Sequence, residues 1–253
     1  MKTKNDYIAV FDSGVGGISV LRQLQKRMPQ ERYLYYGDCA NAPYGSRPTE
    51  EVRRLTLAAA EKLITEYPVK ALVVACNTAT AAAIAALRKK YGKLIVIGIE
   101  PALKLAADRF PGGHIGVMAT EVTLREEKFD NLLHRFPSCT VEKIPAPGLV
   151  QLIEAGQADS PAAEKLLRRL LGSYAGKLDA LVLGCTHYPF AAKTIQRVLG
   201  EGCLLLDGGD GTARECQRRL EAERLLADNG KGSLTIRSSL DDDALRRLAE
   251  QYL

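Results

Sequence analysis

One pattern constrains this chain more than any other: a short apolar strand running into a cysteine and a polar cluster occurs twice. Leu181-Val182-Leu183-Gly184-Cys185-Thr186-His187-Tyr188-Pro189 echoes Ala71-Leu72-Val73-Val74-Ala75-Cys76-Asn77-Thr78, with Ala180 aligned to Ala71 and Cys185 to Cys76. The surroundings repeat as well. Ile115-Gly116-Val117-Met118-Ala119-Thr120 matches Ile8-Ala9-Val10-Phe11-Asp12-Ser13, and Val141 to Ile144 takes the place of Tyr33 to Tyr36. From first strand to thiol is 68 residues in one copy (8 to 76) and 70 in the other (115 to 185). The strand after the thiol begins 18 residues on in the first copy (76 to 94) and 19 in the second (185 to 204). An apolar run ending in polar residues reads as a buried parallel strand whose carboxyl end meets a loop, where open α/β sheets bind ligands. The duplication therefore predicts two pseudo-symmetric parallel-sheet α/β domains facing each other across a central cleft.

Strands and helical patterns alternate along the chain, as right-handed parallel crossovers require. A helix stripe of Ile18, Leu21 and Leu24 follows the first strand, and Val52, Leu55, Ala59 and Leu63 form the stripe of a helix opened by Pro48-Thr49-Glu50-Glu51, with a cap and an acidic first turn. An alanine-rich helix is expected from about Ala79 to Lys90. Pro101 suits the first residue of the next helix. The tail predicts a helix from about Thr212 to Asp228 stopped by Asn229-Gly230, then a strand at Leu234-Thr235-Ile236 and a helix after Asp241-Asp242-Asp243. From the length of the first domain, the tail is expected to return to it. The division is 1–98 plus 209–253 for the first domain and 99–208 for the second.

The 253 residues carry 35 basic and 30 acidic side chains, a net charge of +5 spread over helix faces without an aromatic-interleaved basic stripe, which argues against nucleic-acid binding. No stretch reaches the ~18 apolar residues of a membrane span, and the apolar run after the amino terminus is too short for a signal peptide. The six cysteines, at 39, 76, 139, 185, 203 and 216, include no C-x-x-C pair, which points to a reduced, cytoplasmic protein. No metal-ligand spacing and no nucleotide fingerprint appears; Gly14-Val15-Gly16-Gly17 has Ser19 where G-x-G-x-x-G needs its third glycine.

Two thiols at equivalent strand ends in facing domains would flank a small ligand. The chemistry that needs such a pair is proton transfer at a stereocentre, one group removing a proton from one face and the other returning one to the opposite face. A free cysteine has a pKa of about 8.5, so one thiolate and one thiol can coexist near neutrality. Burial as plain packing is the competing explanation for either cysteine alone; duplicated placement argues against it. Cys39, Cys139, Cys203 and Cys216 lack that context. His187 lies two residues past Cys185 and can exchange a proton with it, and Asp12 can serve Cys76 in the same way or cap the following helix. His114 and His134 are expected in a turn and on a helix face. The glycine turn offers backbone N–H groups to a carboxylate. Asn77, Thr78 and Thr186 add polar groups beside the thiols, and Tyr44-Gly45 adds a loop hydroxyl and amide, a set suited to an amino acid.

The segments Phe11-Asp12-Ser13-Gly14-Val15-Gly16-Gly17, Asn41-Ala42-Pro43-Tyr44-Gly45, Ala75-Cys76-Asn77-Thr78, Gly98-Ile99-Glu100-Pro101 and Leu183-Gly184-Cys185-Thr186-His187-Tyr188-Pro189 resemble those of the glutamate racemases, of the aspartate/glutamate racemase group. The resemblance runs in order to about Asp207 and is weakest over the carboxyl-terminal forty residues. It implies a cofactor-independent isomerase of two α/β domains, a homodimer, that interconverts L- and D-glutamate and supplies D-glutamate for peptidoglycan synthesis, and so for cell-wall biogenesis and cell shape. Carried over, it makes Cys76 the base toward D-glutamate, assisted by Asp12, and Cys185 the base toward L-glutamate, assisted by His187. It places substrate contacts at Asp12, Ser13, Tyr44, Gly45, Asn77, Thr78, Thr120, Thr186 and His187, and matches Glu154 to a family glutamate near the second thiol. Ala146 stands where the family more often has cysteine. Three other readings stay open: an aspartate racemase of the same group, a thiol hydrolase built on Cys185 and His187, and a two-lobed amino-acid-binding protein. The hydrolase lacks a G-x-[SC]-x-G elbow, and neither of the last two explains a second thiol.

Overall fold

The computed structural model describes residues 2–125, 130–131, 133–228 and 230–253. Among the described residues, nine strands form two wholly parallel sheets. The first takes β1 (Tyr7–Asp12), β2 (Arg32–Gly37), β3 (Val69–Val74), β4 (Ile95–Gly98) and β9 (Ser233–Ser238) in the order β4-β3-β1-β2-β9. The second takes β5 (His114–Ala119), β6 (Thr140–Pro145), β7 (Ala180–Leu183) and β8 (Leu204–Asp207) in the order β6-β5-β7-β8. Read from the other edge, that order is β8-β7-β5-β6, the counterpart of β4-β3-β1-β2. The registers agree residue for residue: Ile8 pairs with Ala71 as Ile115 pairs with Ala180, and Phe11 pairs with Val74 as Met118 pairs with Leu183. The repeat seen in the sequence is thus a repeat of topology and register, and β9 is an addition to one copy.

Burial follows from helices on both faces of each sheet. Every residue of β3 and of β7 is buried, as central parallel strands require. One face of the first sheet is covered by α1 (Ile18–Arg27) and α9 (Gly209–Ala222), which contribute Ile18, Leu21, Leu24, Ala213, Cys216 and Leu220 to one core. The other face packs on α2 (Thr49–Glu66) and α3 (Asn77–Lys90), whose stripes include Val52, Leu55, Ala59 and Leu63 with Ala79, Ala83 and Leu87. Each fully buried leucine of these stripes is worth about 1.5–3 kcal/mol of transfer free energy. The second sheet is flanked by α4 (Leu103–Arg109) and α5 (Glu121–Arg125) on one side and by α6 (Leu149–Glu154), α7 (Pro161–Leu171) and α8 (Ala192–Leu199) on the other. The chain passes between lobes at residues 98–103 and again at 207–209. The two crossings touch: a Cβ on Gly208 would lie 2.2 Å from the carbonyl oxygen of Glu100, so only glycine fits there.

Several local expectations differ from what is observed. The helix after β4 starts at Leu103, two residues beyond Pro101. Pro48 rather than a capping side chain precedes α2, although Glu50 and Glu51 do form its acidic first turn. The helix expected to reach Asp228 is α9, and it ends at Ala222. Arg224 adopts a left-handed conformation there (φ 56°), a stop that no glycine announces; Asn229 lies outside the described residues. His114 opens β5 instead of lying in a turn, and His134 lies in a turn instead of on a helix. The final helix, α10 (Asp242–Glu250), is capped by Asp241, whose carboxylate accepts from the amides of Asp243 and Ala244.

Candidate active site

Both thiols emerge two residues past the end of equivalent strands, Cys76 after β3 and Cys185 after β7, and both line one cavity of about 220 Å³ between the lobes. That is below the ~300–1,000 Å³ of drug-sized sites and suits a small metabolite. Ser13, Tyr44, Gly45 and Thr78 of the first lobe and Thr120, Thr186 and His187 of the second share its walls. The polar side chains were expected here from sequence, and the fold brings them together because parallel sheets present their carboxyl ends to a common cleft.

The two thiols sit in different electrostatic surroundings. Cys76 is the N-cap of α3: its sulfur accepts from the Ala79 amide at 3.5 Å and is 3.8 Å from the Ser13 hydroxyl. Burial pushes this thiol up to about 12, and the neighbouring Asp12 carboxylate adds to the effect, outweighing the helix amide. Cys185 instead faces an imidazole, Sγ lying 3.7 Å from His187 Nδ1. His187 Nε2 lies 2.5 Å from Glu154 Oε1, so with Glu154 ionised Nε2 is the donor. Burial alone would depress the imidazole. Its hydrogen bonds with Cys185 and Glu154 override burial and raise His187 well above its ordinary value. Burial likewise opposes ionisation of Glu154, yet the bond to His187, its charge and the Val15 amide bring this carboxyl below its ordinary value. One thiol therefore stands beside the Asp12 carboxyl and the other beside the His187 imidazole.

Asp12 is fully buried at the end of β1. It does not cap α1, whose N-cap is Gly17. Oδ1 accepts from the Gly14 amide and Oδ2 from the Thr186 hydroxyl, both at 2.9 Å. Burial raises its pKa despite these bonds and the nearby His187 charge. Asn77 is buried beside Cys76 with neither amide atom hydrogen-bonded. An unpaired buried amide costs about 1–3 kcal/mol; Asn77 lies between the cavity-lining Cys76 and Thr78 but does not itself line the cavity. Thr78 and Thr120 meet across the cleft at 3.0 Å, and Thr123 joins them at 3.0 Å from Thr120. Gly45 packs on Thr120 so closely that a Cβ there would lie 2.6 Å from Thr120 Cγ2.

Two expectations change. The Tyr44 hydroxyl donates to Asp38 at 2.6 Å, so its proton is already taken, and Tyr44 and Gly45 both line the cavity. The glycine turn does bind a carboxylate, but it is the chain's own: Val15 N–H donates to Glu154 Oε1 at 2.9 Å. Asp38, Thr123 and Ser19 were not anticipated as part of this constellation. Only Thr123 had a sequence signal, its spacing of three from Thr120 at the start of a helix. Among the described residues no three His, Cys, Asp or Glu side chains are grouped as ligands of one metal ion, and no helix is long and apolar enough to cross a membrane.

Comparison with known proteins places this geometry in context. A family model described as Asp/Glu/Hydantoin racemase matches residues 18–216. The glutamate racemase of Clostridium botulinum (strain Alaska E43 / Type E3) is 44% identical over 256 residues, covering 100% of this chain and 99% of that relative. The crystal structure of glutamate racemase from Thermus thermophilus in complex with β-chloro-D-alanine superposes with a TM-score of 0.85 at 39% identity, over 99% of this chain and 94% of the other. Escherichia coli glutamate racemase, in complex with L-glutamate and the activator UDP-MurNAc-Ala, gives 0.86 at 30% identity over 98% and 95%.

Proposed function

The chain belongs to the Asp/Glu/hydantoin racemase family, an isomerase family, and on that premise we propose that it interconverts L- and D-glutamate by proton transfer between two cysteines, without a cofactor. The observation that carries this reading is the pair of thiols from equivalent strand ends on one cavity, one beside Asp12 and the other beside His187. With L-glutamate bound, Cys185 as thiolate takes the α-proton while imidazolium at His187 supports it. Cys76, kept protonated by burial and by Asp12, delivers its proton to the opposite face. The product is D-glutamate, with Cys185 now a thiol and Cys76 a thiolate; the reverse reaction starts from that state. An α-proton is far less acidic than a thiol, so the buried donors of the cleft must stabilise carbanion character as it develops. Asn77 with its unpaired amide, Ser13, Thr78 and Thr120 supply those donors, Thr186 holds the Asp12 carboxyl through its hydroxyl, and Gly45 and Tyr44 shape the wall.

Glutamate is the substrate favoured by the full-length likeness to glutamate racemases and by the L-glutamate held in the E. coli relative. The wider role that follows is supply of D-glutamate for peptidoglycan by a cytoplasmic homodimer; free, unpaired cysteines suit a reducing compartment. The domain division we adopt is 1–98 plus 209–253 and 99–208. A chiral assay of purified protein with L-glutamate, and separately with L-aspartate, tests the reading. Appearance of D-glutamate supports it; turnover of aspartate alone assigns the other substrate, and inversion of neither removes the proposal.

A further inference from the structure

The first lobe's strand-to-helix turn carries three glycines, and two of them are required by the second lobe rather than by their own backbone. Neither Gly14 nor Gly16 has a positive φ. A Cβ on Gly14 would lie 1.9 Å from Glu154 Oε1, and one on Gly16 would lie 2.4 Å from His187 Nδ1 and 2.6 Å from Thr186 Oγ1. The turn is a bed on which the second lobe's polar residues rest. Two hydrogen bonds cross from the same bed. Val15 N–H shares Glu154 Oε1 with His187 Nε2, and the Ser19 hydroxyl reaches the carbonyl oxygen of Thr186 at 2.9 Å while also facing Gly16 O at 2.8 Å.

We propose that Gly16 and Ser19, with the Val15 amide, are positioning residues of the first lobe that seat the Cys185–His187 pair of the second, so that the base is assembled only when the lobes are docked. This rests on the role given to Cys185 above. The groups facing the pair are few: Glu154 and Asp12 toward His187, and Cys76 and Tyr188 toward Cys185. Bulk at Gly16 moves the imidazole off the thiol, and the sulfur then loses its hydrogen-bond partner. Steady-state rates cannot show which thiol is affected. A racemase has an equilibrium constant of one, so kcat/KM falls equally in both directions whichever base is impaired.

The test is site-resolved alkylation. Wild type, Gly16→Ala and Ser19→Ala are treated with iodoacetamide across pH, and the rate at Cys185 is read by peptide mass, with Cys139 as an internal reference and a thermal melt to check folding. We expect alkylation of Cys185 at neutral pH to slow roughly tenfold in Gly16→Ala, and by less in Ser19→Ala, with the rate at Cys139 unchanged. Folded variants with the wild-type Cys185 profile overturn the proposal. If Gly16→Ala does not fold, Ser19→Ala decides alone. Slowed alkylation of Cys185 in a protein that does not invert glutamate removes the substrate reading and leaves the positioning role standing. A wild-type profile in an active racemase does the reverse.

Discussion

The hydroxyl of Thr186 donates to Oδ2 of Asp12 at 2.9 Å, so the carboxylate beside one thiol is held by the residue that follows the other. These residues are 174 positions apart and come from opposite lobes. Thr186→Val keeps the shape and removes the donor. A hydrogen bond to a charged group is worth about 1.5–3 kcal/mol, so we expect kcat to fall about 10- to 100-fold with little change in melting temperature. Steady-state kinetics beside a thermal melt checks this.

Glu154→Gln separates charge from shape. The amide still accepts from Val15 N–H, but the charge that holds His187 protonated is gone. In the wild type the imidazolium persists above its ordinary range and is lost as pH rises through the raised value. In the variant that loss comes earlier, so the alkaline limb of the rate profile moves to lower pH, with a drop of about 10- to 100-fold at neutrality. A profile identical to wild type would remove Glu154 from the proton chain.

Buried thiols contribute to the alkaline stability, as do the buried tyrosines, whose hydroxyl pKa values burial also raises. Burial is the first cause of the shifts at Cys76 and Cys216, to about 12, and at Cys39 and Cys203, to about 11. The folded state therefore holds protons that the unfolded chain releases near pH 9. Stability from these groups is intact below that value and falls as pH rises toward 11–12. Melting temperature should decline over this window, and Cys216→Ala, which lies in the core away from the cleft, should flatten the decline.

A buried ion pair pins the far end of the first sheet. Lys70 Nζ lies 2.5 Å from Glu31 Oε2 with both side chains essentially inaccessible, and it also donates to the carbonyl of Leu225 at 3.0 Å. Lys70→Met leaves Glu31 uncompensated and should cost about 3–5 kcal/mol in denaturant unfolding. Adding Glu31→Gln should recover part of that loss. If the single variant is neutral, the pair is not an ion pair in solution.

What was legible in the sequence was what repeats or alternates. Strand order and register were not predicted and come from the structure. The two matched copies and the placement of Cys76 and Cys185 at equivalent strand ends followed from two similar runs, because a strand buried on both faces is apolar at nearly every residue. The stripes of α1 and α2 were legible for the same reason. The links between lobes were not. Val15 to Glu154 and Ser19 to Thr186 join residues 139 and 167 positions apart, and nothing local in either partner announces them. Gly14 and Gly16 read as a ligand loop because their real constraint, the side chains of Glu154 and His187, lies in the other lobe. Arg224 escaped notice since a left-handed helix stop was expected at Gly230.

Removing either thiol should abolish inversion. Cys76→Ala lacks one face's acid or base and Cys185→Ala the other's, so each should lower kcat/KM by at least about a thousandfold, equally for both enantiomers. Near-wild-type turnover in either contradicts the two-thiol account.

The most direct measurement follows L-glutamate in D₂O by proton NMR with chiral separation at low conversion. Two bases that do not share their protons deliver a solvent deuteron to the face opposite the one deprotonated. The account predicts that newly formed D-glutamate carries deuterium at the α-carbon while the remaining L-glutamate keeps its proton. Product that retains the original α-proton would show a single base returning it, and would contradict the account.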